Sequence, residues 1–183
     1  MLTTSEHCNG IVSNTRDTHI LAVSHYLINY PFANRLFSNS LDVIEHAQRF
    51  GEAAIVSDGD VVFQPLKIRR SGLMDSFDSR VLIYIHKEQE LDDIARHYPA
   101  DHYVFVDDKV RILTAVKQVW NSRVTTVFPR QGHYAMDAEE VAKYPAPDLS
   151  IEHIAMLLDY ELPALVTATS SASESDGPRY RGD

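Results

Sequence analysis

The chain has 183 residues, a formal net charge of −9, 44% hydrophobic and 23% charged residues, which is the composition of one globular domain with a buried core. The acidic balance, relieved only by a short basic cluster at Lys67, Arg69 and Arg70, excludes binding nucleic acid by phosphate neutralisation, which needs clustered Lys and Arg. A single cysteine, Cys8, excludes an intrachain disulfide and a Cys-rich zinc site, and no apolar run reaches signal-peptide or membrane-spanning length, so a soluble cytoplasmic protein is expected.

Ile20, Leu21, Leu27 and Ile28 predict a helix over 18–30, ended by Pro31 because proline disfavours helix in the residue before it. Ser40 is placed to cap a second helix carrying Leu41, Ile44, Ala47 and Phe50 at helical spacing, with Gly51 as its stop. From there short apolar runs alternate with amphipathic segments. Residues 53–56, 81–85, 103–106 and 124–128 are β-branched or aromatic runs without the alternation of half-exposed strands, and they predict buried parallel strands. Leu91, Ile94, Ala95 and Tyr98 mark one covering helix, and Ile112, Leu113, Val116 and Val119 another. A last strand over 149–151 leads into a helix around 154–158. This alternation predicts an α/β fold, a three-layer Rossmann-like parallel sheet with helices on both faces. Three regions are expected: a divergent N-terminal segment with helical potential (1–29), an α/β core (30–162), and a tail (163–183) with too few apolar groups to offset the entropy of ordering it.

In open α/β sheets ligands sit beyond the carboxyl ends of the strands. The first run closes in Ser57-Asp58-Gly59-Asp60, the second in His86-Lys87-Glu88, the third in Asp107-Asp108-Lys109. A hydroxyl, an ammonium and a carboxylate pair therefore converge on one edge, a set suited to a phosphoryl group held with a divalent metal. Each piece also has a plain reading: Ser57 to Asp60 as an ordinary turn, Lys87 as a solvated lysine. Asp107 and Asp108 are more telling, since adjacent carboxylates at the end of a buried strand repel unless a cation or helix N-terminus compensates. Arg130 and Gln131 fit either a substrate contact or a polar loop, and His86 and His133 read as structural or surface histidines. Phosphate-loop, dinucleotide-turn, nucleophile-elbow and zinc-helix motifs are absent from the sequence. The terminal Arg181-Gly182-Asp183 reads as a solvated end.

Residues 54–59, then Lys87, then Val104-Phe105-Val106-Asp107-Asp108, resemble the second, third and fourth motifs of the haloacid-dehalogenase-like (HAD-like) hydrolase superfamily. Tyr30-Pro31-Phe32, Arg70-Ser71-Gly72-Leu73 and residues 129–135 are similar to one bacterial branch of it, so the resemblance runs from about residue 30 to about 160. It implies a Mg²⁺-dependent phosphohydrolase acting on a small phosphate ester. Ser57, Asp58, Gly59 and Lys87 would bind substrate, with Ser57 on the phosphoryl group and Lys87 offsetting its charge. Asp107, assisted by Asp108, would hold Mg²⁺.

The family opens on a strand ending in Asp-x-Asp, whose first carboxylate attacks phosphorus and whose second acts as acid and base. The nearest counterpart, Ile11-Val12-Ser13-Asn14-Thr15, has Ile11 and Ser13 where the carboxylates belong. The chain therefore reads as the C-terminal part of the core, truncated, without its central first strand, inactive alone and with weak or lost Mg²⁺. The gap should be filled by residues 10–14, by another chain through an exposed strand edge, or by pairing of the flanking strands. The alternative is a non-catalytic remnant serving as a binding or interaction module.

Overall fold

The structure, a computed structural model, describes residues 15–164. The expectations for residues 10–14 and for most of the tail lie outside the described residues.

The elements run α1 (Thr15–Asn29), α2 (Ser40–Gln48), β1 (Ile55–Asp58), α3 (Phe63–Arg70), α4 (Leu73–Ser76), β2 (Val81–Tyr84), α5 (Leu91–His97), β3 (Tyr103–Val106), α6 (Val110–Trp120), β4 (Val124–Pro129), α7 (Ala138–Val141) and β5 (Leu149–Ile151). Among the described residues all strand pairing is parallel, as the unbroken apolar runs suggest. It forms two small sheets, β1-β2 and β3-β4-β5. The amide of Ile55 donates to Arg80 O and that of Gly59 to Tyr84 O. Alternate residues turn their backbone groups to opposite edges, so Val56 and Asp58 face away from β2. By the same logic Asp107 N–H, donating to Val127 O, leaves Val104 and Val106 facing away from β4. Among the described residues no strand pairs with either of these two edges. β1 and β3 do not pair with each other, so that way of closing the gap is not taken.

Helices cover both faces. On one, Leu91 and Ile94 of α5 and Ile112, Val116 and Trp120 of α6 pack with Val124, and Val56, Leu82, Tyr103 and Phe105 join them, which ties the two sheets through one core. Trp120 stacks on Tyr103 with ring centroids 4.2 Å apart. On the other face Val43 of α2 meets Val127, Ile151 and Leu157. β4 is buried along its whole length, as the central strand of a sandwiched sheet must be.

Several local expectations are corrected. The N-cap of α2 is Asn39, at φ 62°, and the Ser40 hydroxyl donates backwards to Phe37 O at 2.6 Å. Gly51 is not in the left-handed region, so α2 ends without a glycine stop. The segment after residue 153 is a 3-10 helix, Ile154–Asp159. Helices α3 and α4 were not expected, since Pro65 and three basic residues obscure the pattern. Pro65 sits in the first turn of α3, where its missing N–H costs no hydrogen bond. α1 forms where the apolar residues predict it, yet Ile20, Leu21, Val23, Tyr26 and Ile28 are exposed. Its link to the core is an aromatic chain from Tyr26 through Tyr30 and Phe32 to Phe63.

Candidate functional site

β1 extends two residues further than its apolar run suggests, to Asp58. The ladder with β2 continues through Ser57–Ile83 and Asp58–Tyr84 and is closed by Gly59 N–H donating to Tyr84 O at 2.9 Å, while at the other end Arg80 Nε donates to Ala53 O at 2.8 Å. Ser57 and Asp58 therefore close the strand itself. The Ser57 hydroxyl makes only a long bond, 3.3 Å, to Asp58 O. Gly59 has φ +142°, and a Cβ there would lie 2.6 Å from Gln64 Nε2, so this turn admits only glycine without rearrangement.

Lys87 opens a 3-10 turn after β2 and is buried, at 9% exposure, which rules out the solvated reading. Its amide donates to Asp58 Oδ1 at 2.9 Å. Its ammonium donates to Val56 O at 3.1 Å on the unpaired edge of β1 and forms an ion pair with Asp107 at the end of β3. One side chain thus spans the space between the two sheets. Asp107 is equally buried, at 8%, and its second oxygen accepts from Lys109 N–H at 2.8 Å. Lys87 is the cation that the adjacent carboxylates demanded.

Among the described residues Asp108 forms no such ion pair. Burial, then the charge of Asp107, pushes its carboxyl above the usual range, against opposing help from Lys109. The loop after β4 lies against it: Gly132, at φ +87°, would place a Cβ 2.7 Å from Asp108 Oδ2. Lys109 reaches back to 3.5 Å from Asp58 Oδ2. The structure therefore brings Ser57, Asp58, Lys87, Asp107 and Asp108 to one edge between β1 and β3, with Gly59 in the turn beside them.

Asp58-Gly59-Asp60 has an Asp-x-Asp spacing, but its two carboxylates part. Asp60 Oδ1 accepts from Val62 N–H at 2.9 Å and Phe63 N–H at 2.7 Å, and these bonds, Phe63's first, hold its carboxyl below the ordinary range. It closes its own turn. Gln131 is structural, accepting from Ile154 N–H at 2.6 Å, and Arg130 faces Glu152 at 3.7 Å.

Sequence reasoning gave no role to Glu88, Arg111 or Tyr134. Arg111 Nη1 meets Glu88 Oε1 at 2.6 Å, and Lys109 Nζ lies 4.5 Å from the centre of the Tyr134 ring. Charged residues at a helix start carry little periodic signal, so nothing short of tertiary structure points to them. Among the described residues no group of three or more His, Cys, Asp or Glu side chains is arranged to hold a metal, and no helix is long and apolar enough to cross a membrane.

No family model matches the chain, and no curated protein does. Among solved structures it is similar to a protein of Xanthomonas campestris described as a HAD-like family hydrolase, with TM-score 0.60 and 16% identity over 88% of this chain and 64% of that one, a likeness of fold alone. It is also similar to a protein of Burkholderia xenovorans classed as a haloacid-dehalogenase-like hydrolase, with TM-score 0.78 and 52% identity over 83% of this chain and 69% of that one. At that identity and coverage the chain belongs to the haloacid-dehalogenase-like hydrolases.

Proposed function

We propose that the edge between β1 and β3 binds the phosphoryl group of a small phosphate ester, and that the described residues alone do not turn it over. The observation that carries this is the buried ammonium of Lys87, held by Val56 O and Asp107 beside a serine whose hydroxyl is nearly unengaged. An ammonium stabilises the charge of a phosphoryl group, and a hydroxyl attacks it only when a base takes its proton, whereas the Ser57 hydroxyl bonds a backbone carbonyl, Asp58 O. The nearby carboxylates are poorly placed for that role. Asp58 takes the Lys87 amide, Asp107 is committed to Lys87 and the Lys109 amide, and burial, then the charge of Asp107, raises the carboxyl of Asp108 above the usual range. A second carboxylate to serve as acid is missing because Asp60 is spent on its turn.

The family generally uses Mg²⁺. Here both oxygens of Asp107 are occupied and no cluster of three metal-binding side chains exists among the described residues. These residues do not fit a tight Mg²⁺ site. Asp107 and Asp108 bind the ion weakly, and calorimetric titration with Mg²⁺ should show a weak signal that Asp107→Ala removes. Equal heats from the two proteins would show that the pair is no metal site.

The decisive experiment measures binding and turnover on the same protein. Orthophosphate should bind, at least tenfold more weakly in Lys87→Met, about the effect of losing one charge-assisted hydrogen bond. Hydrolysis of an aryl phosphate in Mg²⁺ should match a buffer blank. Turnover abolished by Asp107→Ala would overturn the inactive reading and make Asp58 and Asp108 the candidate nucleophiles. Absence of phosphate binding would leave only an interaction module.

A further inference from the structure

Beside the phosphoryl edge lies a cleft of about 340 Å³, bordered by Lys109 and Arg111 on one wall and by Tyr134, Asp137, Glu140 and Tyr144 on the other. Lys109 belongs to both places, since its ammonium stands 3.5 Å from Asp58 Oδ2 and also borders the cleft. We propose that this cleft receives the non-transferred part of the substrate and selects one bearing a second anionic group, a carboxylate or another phosphate, which Arg111 and Lys109 grip. The inference rests on the phosphoryl-binding reading of Ser57 and Lys87.

Three observations carry it. The cations have donors to spare: Lys109 makes a 3.5 Å ion pair and a ring contact, and Arg111 uses Nη1 alone, on Glu88 Oε1 at 2.6 Å. An arginine fork half used is suited to carboxylate or phosphate oxygens. On the opposite wall one oxygen each of Asp137 and Glu140 is engaged, by Glu140 N–H at 3.0 Å and by Lys143 Nζ at 2.5 Å, so an anion is drawn to the wall of Lys109 and Arg111. Finally, Glu88 is 8% exposed in its side chain and leaves Oε2 buried without a hydrogen-bond partner. Burial opposes its ionisation, but Arg111, together with the Glu88 backbone N–H and His86, holds the carboxyl below its ordinary value. A half-satisfied buried carboxylate is costly. Here it anchors the guanidinium at the lip of the cleft, where α6 begins with no acidic residue in its first turn and the positive end of the helix dipole favours negative charge.

The test uses a matched non-hydrolysable pair, propylphosphonate and 3-phosphonopropionate, titrated by calorimetry into the full chain at low salt. Propylphosphonate reads the phosphoryl edge alone, and the added carboxylate reads the cleft. The carboxylate-bearing ligand should bind about tenfold more tightly, the worth of one charge-assisted hydrogen bond. Arg111→Gln should erase the difference while leaving propylphosphonate within about twofold, and Arg111→Lys, which keeps the charge but not the fork, should retain part of it. Equal affinity of the two ligands for the unmodified chain, or a preference unchanged in both variants, overturns the subsite and leaves the phosphoryl reading intact. Failure of propylphosphonate to bind, with 3-phosphonopropionate binding lost in Arg111→Gln, overturns the phosphoryl reading and leaves an anion site. Failure of both ligands overturns both.

Discussion

Asp107→Asn removes one charge from the ion pair between the sheets and little else, because the remaining amide oxygen still accepts from Lys109 N–H. The Lys87 ammonium then stays at 9% exposure with Val56 O as its one hydrogen-bond acceptor. Leaving one member of a buried pair uncompensated costs about 3–5 kcal/mol. For a domain of this size that lowers Tm by about 6–20 °C, at roughly 2–4 °C per kcal/mol. Lys87→Met should cost a similar amount by stranding Asp107. The double variant, Lys87→Met with Asp107→Asn, should be markedly more stable than the sum of the two losses, since no unpaired charge remains. Urea unfolding of all four proteins gives the coupling free energy, provided the m-values agree. Single losses below about 1 kcal/mol, the range of exposed ion pairs, or additivity in the double variant, would show that water screens the contact and that Lys87 does not bind the sheets together.

Asp108→Asn should raise Tm at neutral pH. The folded-state value of this carboxyl is raised above the unfolded value of about 3.9, so its ionised form is a cost that disappears as pH falls through the raised value, and the benefit of Asn should vanish at low pH in a series of thermal melts. A benefit that persists at pH 3 would refute the assignment. Asp148 behaves in the opposite sense: despite burial, Lys117 and Thr126 hold its carboxyl low through bonds of 2.8 Å each from Lys117 Nζ, Thr126 N–H and Thr126 Oγ1. Its contribution is present above the unfolded value and lost as pH falls through the folded one, so Asp148→Asn should cost about 1.5–3 kcal/mol near pH 7 and progressively less in acid. Gly132→Ala should cost about 1–3 kcal/mol in urea unfolding, because it combines φ +87° with a Cβ 2.7 Å from Asp108 Oδ2. Relief of that cost when it is combined with Asp108→Ala would identify the close approach, and no relief would leave the backbone angle as the cause.

The parallel α/β class is legible along the chain, because strands buried on both faces must be apolar throughout, and Val124 to Phe128 or Tyr103 to Val106 have that character. The shared edge of Ser57, Lys87 and Asp107 is legible too, since the residues closing consecutive parallel strands must lie at one end of the sheet. Helix caps were not legible: whether Ser40 or Asn39 begins α2 depends on one backbone dihedral. What the ionisable groups do was decided only by the tertiary structure. Lys87 and Asp107 are 20 positions apart, and neither their burial nor their pairing has a local signal. Arg111 is drawn to Glu88 across two elements, and Asp60 is withdrawn from any site by amides of its own turn. Charge chemistry depends on distance and solvent exclusion at a few ångströms, and those are properties of the packed fold, whereas strand and helix patterns are repeated along the chain and can be read from it.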